Sequence, residues 1–144
     1  QKPQKLTMRQ TLTEIKVPGF HIDVYGHVNN ARYLEYLELG RWDFITTYFN
    51  RKTIKEQQWG FIIINIDIHY RSPAYFDDIL IVDSTVTNVG LVRVSLKQNI
   101  YCKEDQKLLA EATVRFVLMD LKTLRPIRIK GNIKKFVETG ELPV

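Results

Sequence analysis

The stretch that decides the fold is Asn30-Ala-Arg-Tyr-Leu-Glu-Tyr-Leu-Glu-Leu-Gly-Arg-Trp-Asp-Phe-Ile-Thr-Thr-Tyr-Phe49, which predicts one long helix. Asn29 and Asn30 suit its N-cap. Apolar side chains recur along it at helical spacing, namely Leu34, Leu37, Phe44, Ile45 and Tyr48. Further apolar surface lies elsewhere around it, at Tyr33, Tyr36, Leu39 and Trp42. A helix this apolar should be wrapped by other structure.

Four segments downstream of the helix predict the strands that wrap it. In the first, four apolar residues alternate with polar ones before Pro73, namely Ile64, Ile66, Ile68 and Tyr70. The others are 78–87, 91–101 and 108–119, and their short connections favour antiparallel hairpins. Adding a first strand at 11–17 and a short terminal helix or tail at 133–137, we predict an α+β fold: a curved five-stranded antiparallel sheet wrapped around one long central helix. Residues 51–60 are interpreted mainly as a loop.

The composition narrows the class of protein. At 144 residues and 44% hydrophobic, the chain is expected to form one domain over residues 1–144, of which 1–7 are interpreted as a tag or flexible extension. No run approaches the roughly 20 apolar residues that cross a bilayer, and the first residues lack a signal-peptide core. We therefore expect no membrane span and a cytoplasmic protein. Cys102 is alone, which excludes an internal disulfide and fits a reducing compartment.

The charge distribution limits the partners. A net charge of +5 favours anionic partners in general. Basic residues crowd the end of the chain at Lys122, Arg125, Arg128, Lys130, Lys134 and Lys135. From Lys122 onward only Phe136 could stack on a base, so nucleic acid is not an expected partner. A solvated basic face and a phosphate contact both fit this pattern.

Residues 17–28 precede the helix without any periodicity. They combine Pro18, Gly19 and Gly26 with four chemically capable side chains, His21, Asp23, Tyr25 and His27. A helix start offers unpaired N–H groups and a partial positive charge, which favour an anion or a developing oxyanion. An aspartate there should stay ionised, so Asp23 suits a nucleophile or a general base rather than an acid.

The run Phe20-His-Ile-Asp-Val-Tyr-Gly-His-Val-Asn-Asn-Ala-Arg-Tyr-Leu-Glu-Tyr-Leu-Glu-Leu-Gly-Arg-Trp-Asp43 closely resembles the hotdog-fold acyl-CoA thioesterases of the 4-hydroxybenzoyl-CoA thioesterase type. The likeness is strongest to the bacterial long-chain acyl-CoA members. It continues through residues 64–74 and 116–123, and so covers nearly the whole chain.

This resemblance implies an acyl-CoA thioesterase with Asp23 as its catalytic carboxylate and the backbone N–H of Asn30 polarising the thioester carbonyl. The carboxylate would either attack the carbonyl, giving a mixed anhydride, or deprotonate a water. The family implies a homodimer or homotetramer with the site between subunits, and a medium or long acyl chain beside Tyr33 and Leu37. The candidates for contacting coenzyme A phosphates are Arg93, Arg125, Arg128 and Lys130.

Two other functions stay open. The run from Gly26 to Asn30 also resembles plant acyl-acyl carrier protein thioesterases, and a non-catalytic acyl-binding module in which Asp23 only caps the helix is a third interpretation. No nucleophile-elbow serine, phosphate-loop glycines or His-Glu-x-x-His motif occurs, so no cofactor or metal is expected.

Several neighbours of Asp23 have both a functional and a structural interpretation. Gly26 permits a tight turn, either simply to reverse the chain or to bring the backbone close to the acyl group. His27 could orient the carboxylate or contact substrate, but a histidine bonded within the loop is favoured, and Asn29 is explained by its cap. Rival carboxylates exist at Glu35 and Glu38, which can pair with Arg32 and Arg41, and at Asp67 beside His69.

Overall fold

A computed structural model describes residues 9–143, so the extension proposed at residues 1–7 lies outside the described residues. Strand β1 (Gln10–Lys16) leads through a short 3-10 turn (Gly19–His21) to helix α1 (Asn30–Tyr48) and helix α2 (Arg51–Gln57). Then follow β2 (Trp59–Tyr70), β3 (Ile79–Val89), β4 (Arg93–Cys102), β5 (Leu108–Asp120), β6 (Arg125–Pro126) and α3 (Gly131–Thr139).

Within residues 9–143 the strands form one antiparallel sheet in the order β1-β3-β4-β5-β2, with the two-residue β6 paired to β5. The predicted α+β fold, one curved five-stranded sheet around a long helix, is confirmed, and β6 is a small addition. Strands β1 and β2 are the edges of this sheet. No helix among the described residues is long and apolar enough to cross a membrane.

The face of α1 that packs against the sheet matches the predicted stripe in part. Leu34 belongs to that stripe but is 39% exposed. Leu37 and Phe44 of the stripe are buried, and the other buried residues of the helix are Tyr33, Tyr36, Gly40 and Arg41. Leu39 and Trp42 are more than half exposed, so the helix is covered on one side only.

Two sequence predictions about the region after α1 are wrong. Residues 51–57 form a helix rather than a loop, because the side chain of Asn50 accepts from the Thr53 N–H at 3.1 Å and caps it. In β2 the pairing register with β5 shifts between Ile63 and Asn65, a β-bulge at Ile64. Ile64 is therefore 46% exposed and does not share a face with Ile66 and Ile68, which pack on the core.

Gly40 brings α1 into close contact with the sheet. A Cβ at this position would lie 2.6 Å from Val82 Cγ1 and 3.0 Å from both Gln98 Nε2 and Ser84 Oγ. The fully buried Gln98 uses this proximity: its Nε2 donates to the Leu37 carbonyl and to Ser84 Oγ, each at 2.9 Å. Its Oε1 accepts from Arg41 Nη1 at 3.2 Å. A buried polar network thus fixes the helix on the sheet.

We expect Gly40→Ala to lower the free energy of unfolding by about 1–2 kcal/mol, although alanine is the better helix former. The gain in helix propensity is about 1 kcal/mol, and it is outweighed by the cost of pushing the Val82 and Gln98 side chains away from the helix. Urea unfolding followed by circular dichroism measures the change. The matched control is Gly19→Ala, whose Cβ would meet Phe76 at an ordinary 3.7 Å and should stay within about 0.5 kcal/mol. A Gly40→Ala variant at least as stable as the wild type would contradict the tight contact.

Candidate active site

The loop before α1 reverses direction over Val24, Tyr25 and Gly26. Ile22 and Val28 form an antiparallel bridge at its base, and the Asp23 N–H donates to the His27 carbonyl at 3.1 Å. The Gly26 N–H donates to the Asp23 carbonyl at 3.0 Å. Gly26 has a φ of +82°, the left-handed conformation that ends a three-residue hairpin loop. The glycine is therefore needed to close the turn.

The base of the loop is tied to the rest of the fold by backbone hydrogen bonds. The Val28 N–H donates to the Ala74 carbonyl at 2.8 Å, and the Asn29 N–H donates to the His21 carbonyl at 3.0 Å. Val28 and Ala74 are almost completely buried. The loop therefore has a fixed position between the start of α1 and the chain that leaves β2.

Both oxygens of the Asp23 carboxylate accept a hydrogen bond. Oδ1 accepts from the Tyr25 N–H at 2.9 Å, the local turn that aspartate side chains favour. Oδ2 accepts from Asn29 Nδ2 at 3.1 Å. These two bonds hold the carboxylate on the loop and beside the first residue of α1.

Asn29 also caps the helix. Its Oδ1 accepts from the Ala31 N–H at 2.9 Å, while its carbonyl accepts from the Arg32 N–H at 3.0 Å. The N–H of Asn30 has no hydrogen-bond partner among residues 9–143. An unpaired donor at the positive end of a long helix, one residue from the group that holds Asp23, suits an oxyanion.

A cleft of about 480 Å³ opens in front of these groups. Its walls combine the loop, the helix start and the end of β2, through Asp23, Tyr25, His27, Asn29, Asn30, Tyr33, Tyr70, Arg71 and Ser72. A second hollow of about 500 Å³ reaches Asp23 from the other side, past His21 and Arg32. The sequence-predicted Asp23, Asn30, His27 and Tyr33 thus meet at one cleft, with Gly26 in the loop beside it.

Aromatic side chains form one wall of the cleft. The Ala74 N–H donates to Tyr33 Oη at 3.1 Å, and Tyr70 Oη donates to the Asn30 carbonyl at 2.9 Å. The two rings meet edge to face with centroids 5.2 Å apart. Burial raises the pKa of Tyr33 above its usual value, so the phenol stays neutral. Tyr33 is therefore a wall of the cleft with its hydroxyl already engaged.

Behind this wall, Tyr36 and His21 form a second polar pair. His21 Nδ1 lies 2.6 Å from Tyr36 Oη. Burial raises the pKa of Tyr36 to about 12, and burial together with Arg32 lowers the pKa of His21. Both groups are neutral near pH 7, so this pair adds no charge next to Asp23.

The ring of His27 contacts two tyrosines, and it is not among the hydrogen-bond partners of the Asp23 carboxylate within residues 9–143. The ring stacks on Tyr25 with centroids 6.5 Å apart and meets the edge of Tyr75 at 6.4 Å. Its Nδ1 lies 3.5 Å from the Val28 carbonyl. His27 therefore has ring contacts within the loop and also lines the cleft, so both of its interpretations stay predictions.

Two of the three rival carboxylates, Glu35 and Asp67, have partners of their own. Glu35 pairs with Arg32 at 2.9 Å, as predicted. Arg41 turns inward to Gln98 instead of forming the ion pair predicted with Glu38, and burial lowers its pKa while the Glu38 charge acts in the opposite direction. Asp67 Oδ1 lies 3.2 Å from His69 Nε2, with both side chains more than half exposed. None of these carboxylates lines the cleft shared by Asp23 and Asn30, although Glu35 lines the second hollow beside Asp23.

The predicted coenzyme A contacts lie at the other end of the sheet within one chain. In the strand register, Arg93 lies opposite Val117 and Arg125 lies opposite Asp120. Asp120 also lies opposite Trp59, the first residue of β2. Arg128 and Lys130 flank Ile129, whose N–H donates to the Leu91 carbonyl at 2.6 Å. The cleft begins at Tyr70, about 36 Å along β2 from Trp59. One chain therefore does not bring these four basic residues together with Asp23.

Arg71 is a cation at the cleft that sequence reasoning missed. It follows β2 directly, and its Nη2 lies 2.7 Å from Glu111 Oε1. Its hydrogen bond and charge lower the pKa of Glu111. Tyr70 and Ser72 were missed with it, although all three lie in the 64–74 segment of the resemblance. Tyr70, Arg71 and Ser72 lie near Asp23 only in the folded chain, where the segment after β2 meets the loop through the Val28–Ala74 hydrogen bond.

A long helix on a curved antiparallel sheet, with a carboxylate beside an unpaired N–H at the helix start, defines a hotdog-type thioesterase domain. The chain belongs to the thioesterase-like superfamily, whose family model matches residues 17–137. It is 37% identical to the long-chain acyl-CoA thioesterase FadM of Escherichia coli over 88% of this chain and 96% of that protein. The resemblance predicted from the sequence is thereby confirmed.

Two further relatives extend the comparison. The crystal structure of the probable thioesterase YbaW from Escherichia coli superimposes with a TM-score of 0.82 at 37% identity, covering 89% of this chain and 96% of that one. The chloroplast acyl-acyl carrier protein thioesterase ATL2 of Arabidopsis thaliana is 27% identical over 85% of this chain and 65% of that protein. The relatives thus include enzymes named for two different carriers.

Proposed function

We propose that the protein hydrolyses acyl-CoA thioesters with medium or long acyl chains to a free fatty acid and coenzyme A. The observation that carries the proposal is the pairing of two groups at one cleft: the Asp23 carboxylate, held by Tyr25 and Asn29, and the unpaired Asn30 N–H. The high identity to a relative named as a long-chain acyl-CoA thioesterase supports this choice of substrate.

In the proposed reaction the thioester carbonyl oxygen approaches the Asn30 N–H, and its carbon faces Asp23. The N–H stabilises the negative charge that develops on the oxygen, a contribution typically worth about 10²- to 10³-fold in rate. Asp23 either adds to the carbon, forming a mixed anhydride and releasing the thiolate, or takes a proton from the water that adds. In the first route water then hydrolyses the anhydride, which frees the fatty acid and restores the Asp23 carboxylate. In both routes the C–S bond breaks, water supplies the new oxygen of the acid, and the thiolate takes up a proton.

The assembly is proposed as a homodimer or a dimer of dimers. Strand β2 is a 12-residue edge of the sheet, and Ile62 and Ile64 on it are more than a third exposed. A long edge with exposed apolar side chains favours pairing with another strand. Antiparallel pairing of two copies of β2 would bring one protomer's Trp59 end, with its basic residues, to its partner's cleft.

The same pairing offers a role for the basic residues. Arg71 lies on the cleft of its own chain, whereas Arg93, Arg125, Arg128 and Lys130 would approach from the partner. Arginine and lysine at these positions suit the phosphates of coenzyme A. A cytoplasmic location belongs to the same proposal, because the lone buried Cys102 fits a reducing compartment.

A second candidate substrate is acyl-acyl carrier protein. The basic surface around Arg125 would suit an acidic carrier, and one relative is named for this activity. The test compares palmitoyl-CoA with palmitoyl-acyl carrier protein, measuring thiol release at equal substrate concentrations. We expect kcat/KM above about 10⁴ M⁻¹s⁻¹ for the coenzyme A thioester and a lower value for the carrier. The reverse order would favour the carrier, and tight binding of palmitoyl-CoA without thiol release would favour a non-catalytic acyl-binding module.

A further inference from the structure

Two tyrosine hydroxyls cross between the start of α1 and the end of β2. Tyr33 belongs to α1, and its Oη accepts from the N–H of Ala74, on the chain that leaves β2, at 3.1 Å. Tyr70 is the last residue of β2, and its Oη donates at 2.9 Å to the carbonyl of Asn30, the first residue of α1. Each element is thus held by a side chain of the other, and we call this pair of bonds the tyrosine brace.

The two hydroxyls of the tyrosine brace have different surroundings. Tyr33 is 3% exposed and Ala74 is fully buried, so loss of the Tyr33 hydroxyl would leave a buried N–H without a partner. Tyr70 is 46% exposed and lines the cleft. The Asn30 carbonyl begins a regular helix, in which it also accepts from the N–H four residues later, and it stays paired without Tyr70. The Tyr33 bond therefore stabilises the fold, whereas the fold does not depend on the Tyr70 bond.

The Tyr70 bond acts on the residue that carries the proposed oxyanion donor. The Asn30 N–H and the Asn30 carbonyl belong to two peptide planes that meet at one Cα. The first plane is held at its other end, where the Asn29 carbonyl accepts from the Arg32 N–H at 3.0 Å. The second plane is held by Tyr70 from the side of the cleft. Within residues 9–143 no other hydrogen bond joins β2 to α1, so the orientation of the Asn30 N–H relative to β2 depends on this hydroxyl.

Tyr70 is itself held firmly enough to orient another group. The N–H groups of the two residues after it, Arg71 and Ser72, both donate to the Leu109 carbonyl, at 2.8 and 3.1 Å. Its ring meets the Tyr33 ring edge to face, with centroids 5.2 Å apart. Burial raises the pKa of Tyr70, so the phenol stays a neutral donor well above pH 7. The hydroxyl is therefore an uncharged donor on a fixed strand.

We propose that Tyr70 is a positioning residue of the reaction: its hydroxyl holds Asn30 so that the Asn30 N–H meets the thioester carbonyl oxygen as negative charge develops there. The inference rests on the proposed thioesterase function. An oxyanion donor is effective at about 2.7–3.1 Å from the oxygen, and a displacement of about 1 Å can cost about 10²-fold in rate. Tyr70 acts through Asn30 and does not itself touch the reacting atoms.

The first test is Tyr70→Phe, which removes the hydroxyl and keeps the ring contact with Tyr33. We expect kcat for palmitoyl-CoA to fall about 10-fold while KM changes by less than about threefold, because the N–H contributes more to the transition state than to the bound substrate. The midpoint of thermal unfolding should stay within about 2 °C of the wild type. The matched control is Tyr101→Phe on β4. Its hydroxyl makes no hydrogen bond within residues 9–143 and lies outside the cleft, so this variant should keep the wild-type constants.

Two analogues that cannot be hydrolysed distinguish positioning from a structural role. In the first, a CH₂ group replaces the sulfur of dodecanoyl-CoA, which keeps the carbonyl as a ketone. The second, S-dodecyl-CoA, is a thioether without the carbonyl oxygen. Titration calorimetry should show that Tyr70→Phe weakens binding of the ketone about threefold, part of the contribution of one hydrogen bond, and leaves binding of the thioether unchanged. A partly unfolded variant would weaken both equally, so the ratio of the two dissociation constants stays informative if Tyr70→Phe is unstable.

Tyr33→Phe is the complementary variant. It should lower the midpoint of thermal unfolding by about 5 °C, because the buried Ala74 N–H loses its partner. A larger loss of stability in Tyr70→Phe than in Tyr33→Phe would contradict the different roles of the two hydroxyls.

The remaining outcomes separate this inference from the proposed function. A Tyr70→Phe protein with wild-type kcat and an unchanged ratio of the two dissociation constants would overturn the inference and leave the thioesterase proposal intact. Equal weakening of both analogues in a fully folded variant would assign Tyr70 to substrate binding, which also overturns it. Wild type that hydrolyses no acyl-CoA of any length would instead overturn the proposed function itself.

Discussion

Asp23→Asn is expected to lower kcat/KM for palmitoyl-CoA by at least about 10³-fold while leaving the fold unchanged. The amide keeps the size and shape of the carboxylate, but it can neither attack a carbonyl nor accept a proton from water, so both proposed routes lose their central step. Thiol release measures activity, and circular dichroism with thermal unfolding checks the fold.

Asp67→Asn is the matched control, because it removes a carboxylate that is more than half exposed on β2 and paired with His69. It should retain wild-type turnover. An active Asp23→Asn protein would exclude the proposed role of this carboxylate. If Glu38→Gln were inactive in the same assay, the reacting group would be the helix glutamate.

The two substitutions Asn29→Ser and Asn29→Asp should separate capping from positioning. Serine and aspartate both cap helices, so the helix start is preserved in each. Neither can donate an amide proton to Asp23 Oδ2, as Asn29 does at 3.1 Å. We expect about a 10-fold loss of kcat with serine and about 10²-fold with aspartate, because small displacements of a reacting group have effects of this size and a second carboxylate repels the first.

The pH dependence distinguishes positioning from a merely structural role. An aspartate at position 29 favours the protonated form of Asp23, so the acidic limb of the pH–rate profile should move to higher pH. Serine carries no charge and should leave that limb where it is. Equal losses in both variants with identical pH profiles would assign Asn29 to the helix cap alone.

The long helix and the core of the site were predictable because they are encoded locally. The helical period of residues 30–49 is strong, and Asp23 and Asn30 belong to one short loop and the helix it leads into. The Asp23 turn, the Asn29 cap and the Gly26 reversal are all bonds between residues no more than six positions apart. Local physics of this kind can be read from one sequence.

Features that depend on register were not predictable in the same way. The position of the bulge could not be predicted from the run Phe61-Ile-Ile-Ile64, because every residue in it is apolar and suits either face of a strand. Helix α2 is short and largely polar, so it has no periodicity to detect. The basic residues after Lys122 were grouped with the site by charge alone, whereas the pairing of β5 with β6 puts Arg125 at the far end of the sheet.

The bulge at Ile64 shifts the alternation of β2 by one residue. Odd-numbered Phe61 and Ile63 face the core before it, and even-numbered Ile66 and Ile68 face the core after it. A strand built this way cannot slide by one residue against β5, because either half would then turn its apolar side chains to solvent. The strand carries the cleft at its Tyr70 end and lies close to Arg125 at its Trp59 end. The distance between these two ends is therefore fixed, and evolution of a different substrate preference would have to act on the side chains of the strand rather than on its alignment.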